Sequence, residues 1–239
     1  MKELLGCIRK ADKDFNLIQA GDRVCVGVSG GKDSLVLLYA MALYRKFCPN
    51  KYELSAVTLH LGREPFDLAP IQALCDSLEV PYVIKKTDIY QVIFEERKEQ
   101  NPCSLCAKMR RGALTDFCRE TGANKLALGH HRDDALETLF MSMLYEGRIH
   151  TFHPKTFLNR SGITQIRPMV YVPEKHIIHM AKTLNLPVVT SPCPANGYTK
   201  REDIKELLDY ICRLYPNARE LLLSALQNEA QYGLWNRNT

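Results

Sequence analysis

The most constraining feature of this sequence is a buried strand that runs into a glycine loop and then into a helix. Residues 22–28 are apolar enough to predict a buried strand. Residues 33–47 carry apolar side chains at helical spacing. The loop between them reads Ser29-Gly30-Gly31-Lys32-Asp33-Ser34. Such a unit predicts an α/β fold, in which ligands gather at the carboxyl ends of parallel strands.

The same alternation of strands and helices continues along the chain. It predicts a doubly wound parallel sheet that is covered by helices on both faces, followed by a C-terminal helical extension. Residues 147–162 are expected to form a loop, and residues 190–197, with three helix breakers, an irregular segment. The predicted strands are 54–61, 82–86, 125–129 and 164–167, and the predicted helices are 66–78, 103–120, 133–145, 174–184, 200–214 and 218–232.

This pattern divides the chain into three parts. Residues 1–20 form an N-terminal helical segment, residues 21–190 an α/β domain, and residues 191–239 a cysteine-containing loop with the C-terminal helices. With 46% hydrophobic residues in 239, the chain is long enough to bury one sizeable core. Its net charge of +5 suits a polyanionic partner without requiring one. No apolar run is long enough to cross a bilayer, so we expect a cytoplasmic protein without a membrane partner.

The glycine loop has the composition of a phosphate-binding site. Consecutive glycines let backbone amides approach an anion at the start of a helix. Lys32 is suited to neutralise phosphate oxygens, Ser29 and Ser34 to donate hydroxyl groups, and Asp33 to recruit the Mg²⁺ that accompanies a triphosphate. The Walker pattern does not fit, because Val26 and Asp33 stand where its first glycine and its Ser or Thr belong. A glycine turn that only joins strand to helix is the alternative.

A second polar cluster, Gly129-His130-His131-Arg132-Asp133-Asp134, also lies where a predicted strand ends and a helix begins. Its side chains should therefore face the same crevice as the loop. Asp133 and Asp134 are suited to ligate Mg²⁺ or to orient a nucleophile. For either residue alone, a helix N-cap is the better interpretation.

The nine cysteines are scattered through the chain, which argues against a disulfide framework. Asn101 and Pro102 predict a helix start, which places Cys103 and Cys106 on one helical face beside basic residues. Thiolates are favoured there, as a metal ligand or a sulfur nucleophile requires. The pair alone also fits a redox couple or half of a zinc site.

A third cysteine, Cys193, lies between two prolines in the irregular segment. Three thiolates bind an iron–sulfur cluster that leaves one iron open. A closed zinc site needs a fourth ligand, which His150 or His153 would have to supply, so zinc stays an alternative.

These motifs resemble a known group of enzymes. The loop resembles the S-G-G-x-D-S signature of the pyrophosphatase-loop (PP-loop) ATP enzymes. The second cluster resembles the G-H-x-x-D-D element of the tRNA lysidine and tRNA 2-thiocytidine synthetases. The likeness continues through residues 166–169 and 174–175 and covers about two thirds of the chain. The cysteine trio is similar to that of the 2-thiocytidine synthetases, which the lysidine synthetases lack, although Asn196 stands where a further cysteine is common.

The resemblance implies an adenine nucleotide alpha hydrolase-like fold and an ATP-dependent tRNA sulfurtransferase. Such an enzyme adenylates a base C2 oxygen, in an anticodon-loop cytidine, and replaces it with sulfur, which arrives on the open iron or as a persulfide. The implied cofactors are ATP, Mg²⁺ and a 4Fe-4S cluster. The implied partners are tRNA, a sulfur donor (sulfide or a cysteine desulfurase) and a second copy of the chain. Thiolation of another base or of a small molecule, a lysidine-type ligase, and a nucleotide or iron–sulfur sensor are the alternatives.

The residues that the resemblance assigns fall into three groups. The catalytic residues are Lys32, Asp33, Asp133 and Asp134. The cluster ligands are Cys103, Cys106 and Cys193. The nucleotide-binding residues are Ser29, Gly30, Gly31, Lys32, Asp33, Ser34, His60, Gly129 and His130.

Overall fold

A computed structural model describes residues 1–62, 67–97, 102–189 and 200–228, together with residues 230 and 233. Within these ranges the strands are β1 (Arg23–Gly27), β2 (Glu53–His60), β3 (Tyr82–Lys86), β4 (Lys125–Ala127), β5 (Lys155–Leu158) and β6 (Ile163–Ile166). The α-helices are α1 (Lys2–Phe15), α2 (Lys32–Phe47), α3 (Ala69–Ser77), α4 (Pro102–Thr121), α5 (Arg132–Glu146), α6 (Glu174–Thr183), α7 (Lys200–Leu214) and α8 (Ala218–Gln227). No helix in the described ranges is long and apolar enough to span a membrane.

The strands form one sheet in the order β3-β2-β1-β4-β6-β5. Five of the strands run parallel, with Val24 of β1 opposite Leu54 of β2 on one side and Lys125 of β4 on the other. The prediction of a parallel, doubly wound sheet is therefore confirmed for these strands. The strand order reverses beside β1, which is the position where doubly wound sheets bind their ligands.

The sheet differs from the prediction at its far edge. Residues 147–162 were expected to form a loop, but β5 lies within them and pairs antiparallel with β6, with Lys155 opposite Ile166. This part of the prediction was wrong. The strand is only four residues long, and its Phe157 side chain is 61% exposed, so the alternation of apolar and polar residues is faint.

Other parts of the chain also depart from the prediction. A π-helical turn, Gln91–Glu96, precedes α4 and was not predicted. Helix α8 was predicted to reach residue 232, but it ends at Gln227 with Asn228 as its C-cap. The irregular segment predicted at residues 190–197 lies outside the described residues.

One face of the sheet packs against α4. The cluster joins Cys25 of β1, Leu126 of β4 and Ile163 of β6 to Phe117 and Cys118 of α4. Because side chains alternate along a strand, Val24 and Val26 point to the opposite face, where α2 and α6 lie. Burial on both faces is the reason that β1 reads as a continuous apolar run.

The described residues gather into two compact units. The sheet unit comprises Met1–His131 and His153–Gly197, and the helical unit comprises Arg132–Phe152 and Tyr198–Thr239. In the helical unit, Leu136 of α5 packs against Ile204 and Leu208 of α7. The division of the chain at residues 20/21 and 190/191 stays a prediction.

Candidate active site

The glycine loop is held in one conformation by its own side chains. Gly30 has a φ of +84°, a left-handed conformation that favours glycine. The buried hydroxyl of Ser34 accepts a hydrogen bond from the Ser29 amide at 3.0 Å and donates one to the Gly31 carbonyl at 2.9 Å. These bonds close the loop against the first turn of α2, which starts at Lys32. The N-terminus of α2 is thereby presented to an anion at the carboxyl edge of the sheet.

The ammonium of Lys32 lies between two carboxylates. Its Nζ is 3.2 Å from Oδ1 of Asp33 and 3.1 Å from Oε1 of Glu174, the first residue of α6. Burial alone would lower the pKa of Lys32, but the two carboxylates outweigh burial and raise that pKa above its ordinary value. Lys32 is therefore a fully charged cation at neutral pH, as phosphate binding requires.

The residues that follow β4 lie directly against the loop. A Cβ at Gly129 would be 3.0 Å from the carbonyl carbon of Asp33 and 3.1 Å from the amide nitrogen of Ser34. The buried His131 places Nε2 3.6 Å from Oδ1 of Asp33. The structure thus brings the predicted residue Gly129 to the loop and adds His131, which was not among the predicted site residues.

A third segment of the chain is hydrogen-bonded to the loop. The Val189 amide donates a hydrogen bond to the carbonyl of Gly30 at 3.0 Å. The loop is consequently tied to the stretch that follows α6.

The predicted nucleotide residue His60 ends β2 and is half-buried. Its Nδ1 accepts a hydrogen bond from the Gly62 amide at 3.3 Å, and its carbonyl accepts one from the Thr87 amide at 2.9 Å. These contacts order the carboxyl end of β2. Its role in binding a nucleotide, like that of the half-buried His130, stays a prediction.

Asp133 and Asp134 belong to the first turn of α5 in the helical unit. There Asp133 Oδ1 lies 2.8 Å from Nε of Arg219 in α8. Asp134 Oδ1 lies 3.3 Å from Nη1 of Arg201 in α7, and the same nitrogen is 3.0 Å from Oε2 of the buried Glu137. Both carboxylates are therefore paired with arginines, and their predicted catalytic role is not tested by these contacts.

The predicted thiol pair occupies the first turn of α4. Cys103 is exposed and Cys106 is half-buried, and neither forms a disulfide. The third predicted ligand, Cys193, lies outside the described residues. Within the described ranges no group of three His, Cys, Asp or Glu side chains is arranged to hold a metal ion. The described part of the chain thus presents two thiols of the predicted three.

The position of α4 shows at which edge of the sheet the two thiols lie. Leu114, in the middle of α4, packs against the last residue of β1, Gly27: a Cβ atom on this glycine would lie 3.5 Å from a methyl carbon of Leu114. Cys106 lies eight residues earlier, which is about 12 Å further along the helix axis. Because α4 runs back toward the start of β4, its first turn extends beyond the carboxyl edge, where the glycine loop also lies.

Arg167 follows β6 at the same edge. The side chain is buried, and it donates hydrogen bonds to the carbonyl of His153 at 2.6 Å and to Oε1 of Gln165 at 3.1 Å. Burial, with a further contribution from the positive charge of Arg111, lowers the pKa of Arg167 to about 10. This guanidinium anchors residue 153, where the chain re-enters the sheet unit.

These observations define a nucleotide-binding protein of the PP-loop class. The sheet has the strand order of such a protein, serine hydroxyls close the glycine loop, and a lysine and an aspartate begin α2. The sequence matches the PP-loop domain family over residues 6–208. It is 39% identical to the tRNA-cytidine(32) 2-sulfurtransferase of Citrifermentans bemidjiense, over 92% of this chain and 88% of that protein. It is 36% identical to the protein of the same name from Shewanella sp. strain ANA-3, over 96% of this chain and 74% of that one.

A solved structure agrees with these relatives. The U34-tRNA thiolase NcsA from Methanococcus maripaludis, solved with its 4Fe-4S cluster, superposes with a TM-score of 0.76 at 26% identity, over 93% of this chain and 76% of that one. The chain belongs to the tRNA-cytidine(32) 2-sulfurtransferase family of PP-loop proteins.

Proposed function

We propose that this protein is an ATP-dependent sulfurtransferase that replaces the C2 oxygen of an anticodon-loop cytidine of tRNA with sulfur. The observation that carries the proposal is that the phosphate-binding loop and the thiol pair lie at the same edge of the sheet. The glycine loop ends β1, and the Cys103–Cys106 pair starts α4 beyond the same edge of the sheet. The relatives named for 2-thiolation of tRNA cytidine support the choice of substrate.

The loop residues activate the base oxygen. The amides at the start of α2 and the Lys32 ammonium hold the triphosphate, and Asp33 is the candidate ligand for Mg²⁺. The C2 oxygen attacks the α-phosphorus, the bond to the β-phosphate oxygen breaks, and pyrophosphate leaves. Sulfur then adds at C2, and the C2–oxygen bond breaks with AMP as the leaving group. Adenylation thus turns a poor leaving group into a good one.

The thiol pair fits a cluster in its chemistry and in its place. Cys103 and Cys106 are three residues apart and lie on one face of the first turn of α4, and cysteines are the ligands that iron–sulfur clusters use. Cys103, Cys106 and Cys193 are the proposed ligands. A bound 4Fe-4S cluster with three protein ligands supplies one open iron position for sulfur.

The remaining partners follow from the chemistry. Lys108, Arg110 and Arg111 continue α4 as exposed cations where a polynucleotide backbone would approach the thiols. The target base has to leave its stack to reach the loop. The family resemblance, rather than the chemistry, adds a homodimer and sulfide or a cysteine desulfurase as donor, and the proposal takes a cytoplasmic location as its default.

Two measurements test the proposal on matched cysteine variants. The protein is purified anaerobically and analysed for iron and sulfide as wild type, Cys103→Ser, Cys106→Ser and the control Cys7→Ser, whose cysteine lies on α1. We expect iron in wild type and in the control and its loss in the two α4 variants. Each gene is then returned to a deletion strain, and tRNA nucleosides are analysed by mass. Iron-free wild type contradicts the cluster, and unchanged 2-thiocytidine in the deletion strain contradicts the substrate.

A further inference from the structure

Glu174 is 142 positions away from Lys32 in the chain, yet its carboxylate is 3.1 Å from the Lys32 ammonium. We infer that Glu174 is a positioning residue, which orients Lys32 for the pyrophosphate leaving group of the adenylation step. This inference rests on the proposed function, because it assigns a task within the proposed reaction.

The backbone of Glu174 is rigidly placed. The four residues before Pro173, Met169 to Val172, are all buried, and the Val172 amide donates to the Met169 carbonyl at 2.7 Å. Pro173 is the N-cap of α6, and Ile177, one turn later, is fully buried. A side chain on such a support holds its position with little loss of entropy on binding.

The side chain of Lys32, by contrast, needs a partner to hold it. It is 32% exposed, whereas that of Glu174 is only 16% exposed. Asp33 also contacts the ammonium, but it is adjacent in sequence and shares the exposed mouth of the loop, with 34% of its side chain exposed. Glu174 therefore supplies the contact that comes from a separate, buried element.

The position of Glu174 in α6 suits an anionic residue that stays in place. It occupies the first turn, where the helix dipole stabilises a carboxylate. Charge builds up on the leaving pyrophosphate during adenylation, and a pre-oriented cation stabilises that charge without reorganisation. Loss of Glu174 should therefore lower kcat more than it raises the KM for ATP.

The test compares wild type with Glu174→Gln, Glu174→Asp and the control Glu202→Gln, which changes an exposed first-turn glutamate of α7. Pyrophosphate release is measured with tRNA, ATP and sulfide. For Glu174→Gln we expect kcat to fall about tenfold with the KM for ATP within about twofold of wild type. Glu174→Asp should recover part of that loss, and the control should match wild type. A normal kcat, or a tighter KM that would mark Glu174 as a competitor of ATP, overturns the inference.

Two further measurements separate this inference from the proposed function. In a Lys32→Ala background, Glu174→Gln should cause no additional loss, whereas an additive loss would assign Glu174 a role apart from Lys32. Calorimetric titration with inorganic pyrophosphate needs no turnover, and Glu174→Gln should bind it about fivefold more weakly. Unchanged or tighter pyrophosphate binding contradicts the inference. Wild type that releases no pyrophosphate with tRNA contradicts the proposed function instead.

Discussion

Gly129 lies so close to Asp33 that a methyl group at position 129 would be 3.0 Å from the Asp33 carbonyl carbon and 3.2 Å from its oxygen. These atoms belong to the backbone of the first turn of α2, so they cannot move without displacing the loop. The segment after β4 therefore packs directly against the backbone of the segment after β1.

Gly129→Ala should weaken ATP binding about tenfold or more, because the loop must shift to admit the methyl group. The measurement is calorimetric titration with ATP. Gly112→Ala is the control: it lies inside α4, nothing is within 4 Å of its added Cβ, and alanine is the better helix former. It should leave ATP binding unchanged and stabilise the fold by up to about 1 kcal/mol. Equal ATP affinities in the two variants would contradict the prediction.

Ser34→Ala should loosen the loop, since one hydroxyl both accepts from the Ser29 amide and donates to the Gly31 carbonyl. We expect a loss of about 1 kcal/mol in the free energy of unfolding, because a part-buried backbone amide and a part-buried carbonyl lose their hydrogen-bond partner. Weaker ATP binding should accompany it. Urea unfolding and ATP titration measure both effects, with Ser77→Ala on the exposed end of α3 as the control. A stability equal to that of the control would refute the role given to Ser34.

Asp22→Asn should destabilise the protein in a pH-dependent way. The buried Asp22 carboxylate is 2.6 Å from Nζ of the buried Lys125. Burial alone would raise the pKa of Asp22, but hydrogen bonds from Lys125, the Gln19 amide and Asn124 hold that pKa below its usual value. The carboxylate therefore contributes stability above the pKa of the unfolded chain, near 3.9, and that contribution is lost as the pH falls through the lower folded value.

At pH 7 the Asn variant should lose about 3 kcal/mol of unfolding free energy, since Lys125 stays buried without its counter-charge. The difference from wild type should shrink as the pH is lowered from 5 to 3. Asp116→Asn, at an exposed i,i+3 pair with Arg119, should stay within about 0.5 kcal/mol throughout. Urea unfolding across this pH range provides the measurement, and a difference that grows toward pH 3 would have the wrong sign.

Arg219→Ala should destabilise the helical unit by about 2 kcal/mol, because Asp133, whose side chain is only 9% exposed, loses a partner at 2.8 Å. Arg219→Lys should recover part of the loss. Arg213→Ala removes an exposed guanidinium that lies over the Tyr210 ring and should cost far less. Hydrogen exchange of the α5 and α8 amides reports the change locally, and equal protection in all three variants would contradict it.

The sheet was predictable where side chains are buried on both faces. Val24, Cys25 and Val26 are all fully buried, so the run between polar residues marks β1 to within a residue at either end. The edge strand β5 was not predictable from pattern, because its two apolar residues, Phe157 and Leu158, are adjacent instead of alternating with polar ones, and Phe157 is 61% exposed.

The site was predictable where its residues are consecutive in the chain. The loop from Ser29 to Ser34 is formed by neighbouring residues alone, so its motif can be recognised in the sequence. The pairing of Lys32 with Glu174 depends on how α6 packs beside α2, which no local pattern encodes. The partners of Asp133 and Asp134 come from α8 and α7 for the same reason.

The division of the helical unit between two stretches of chain has a consequence during synthesis. Leu136 of α5 leaves the ribosome about 70 residues before Ile204 and Leu208, the residues that cover it. At about 5–20 residues per second, that interval is roughly 4–14 s. Strand β6, which completes the parallel part of the sheet, emerges within it. During that interval the apolar stripe of α5 is exposed, although every parallel strand of the sheet unit has been synthesised before the interval ends.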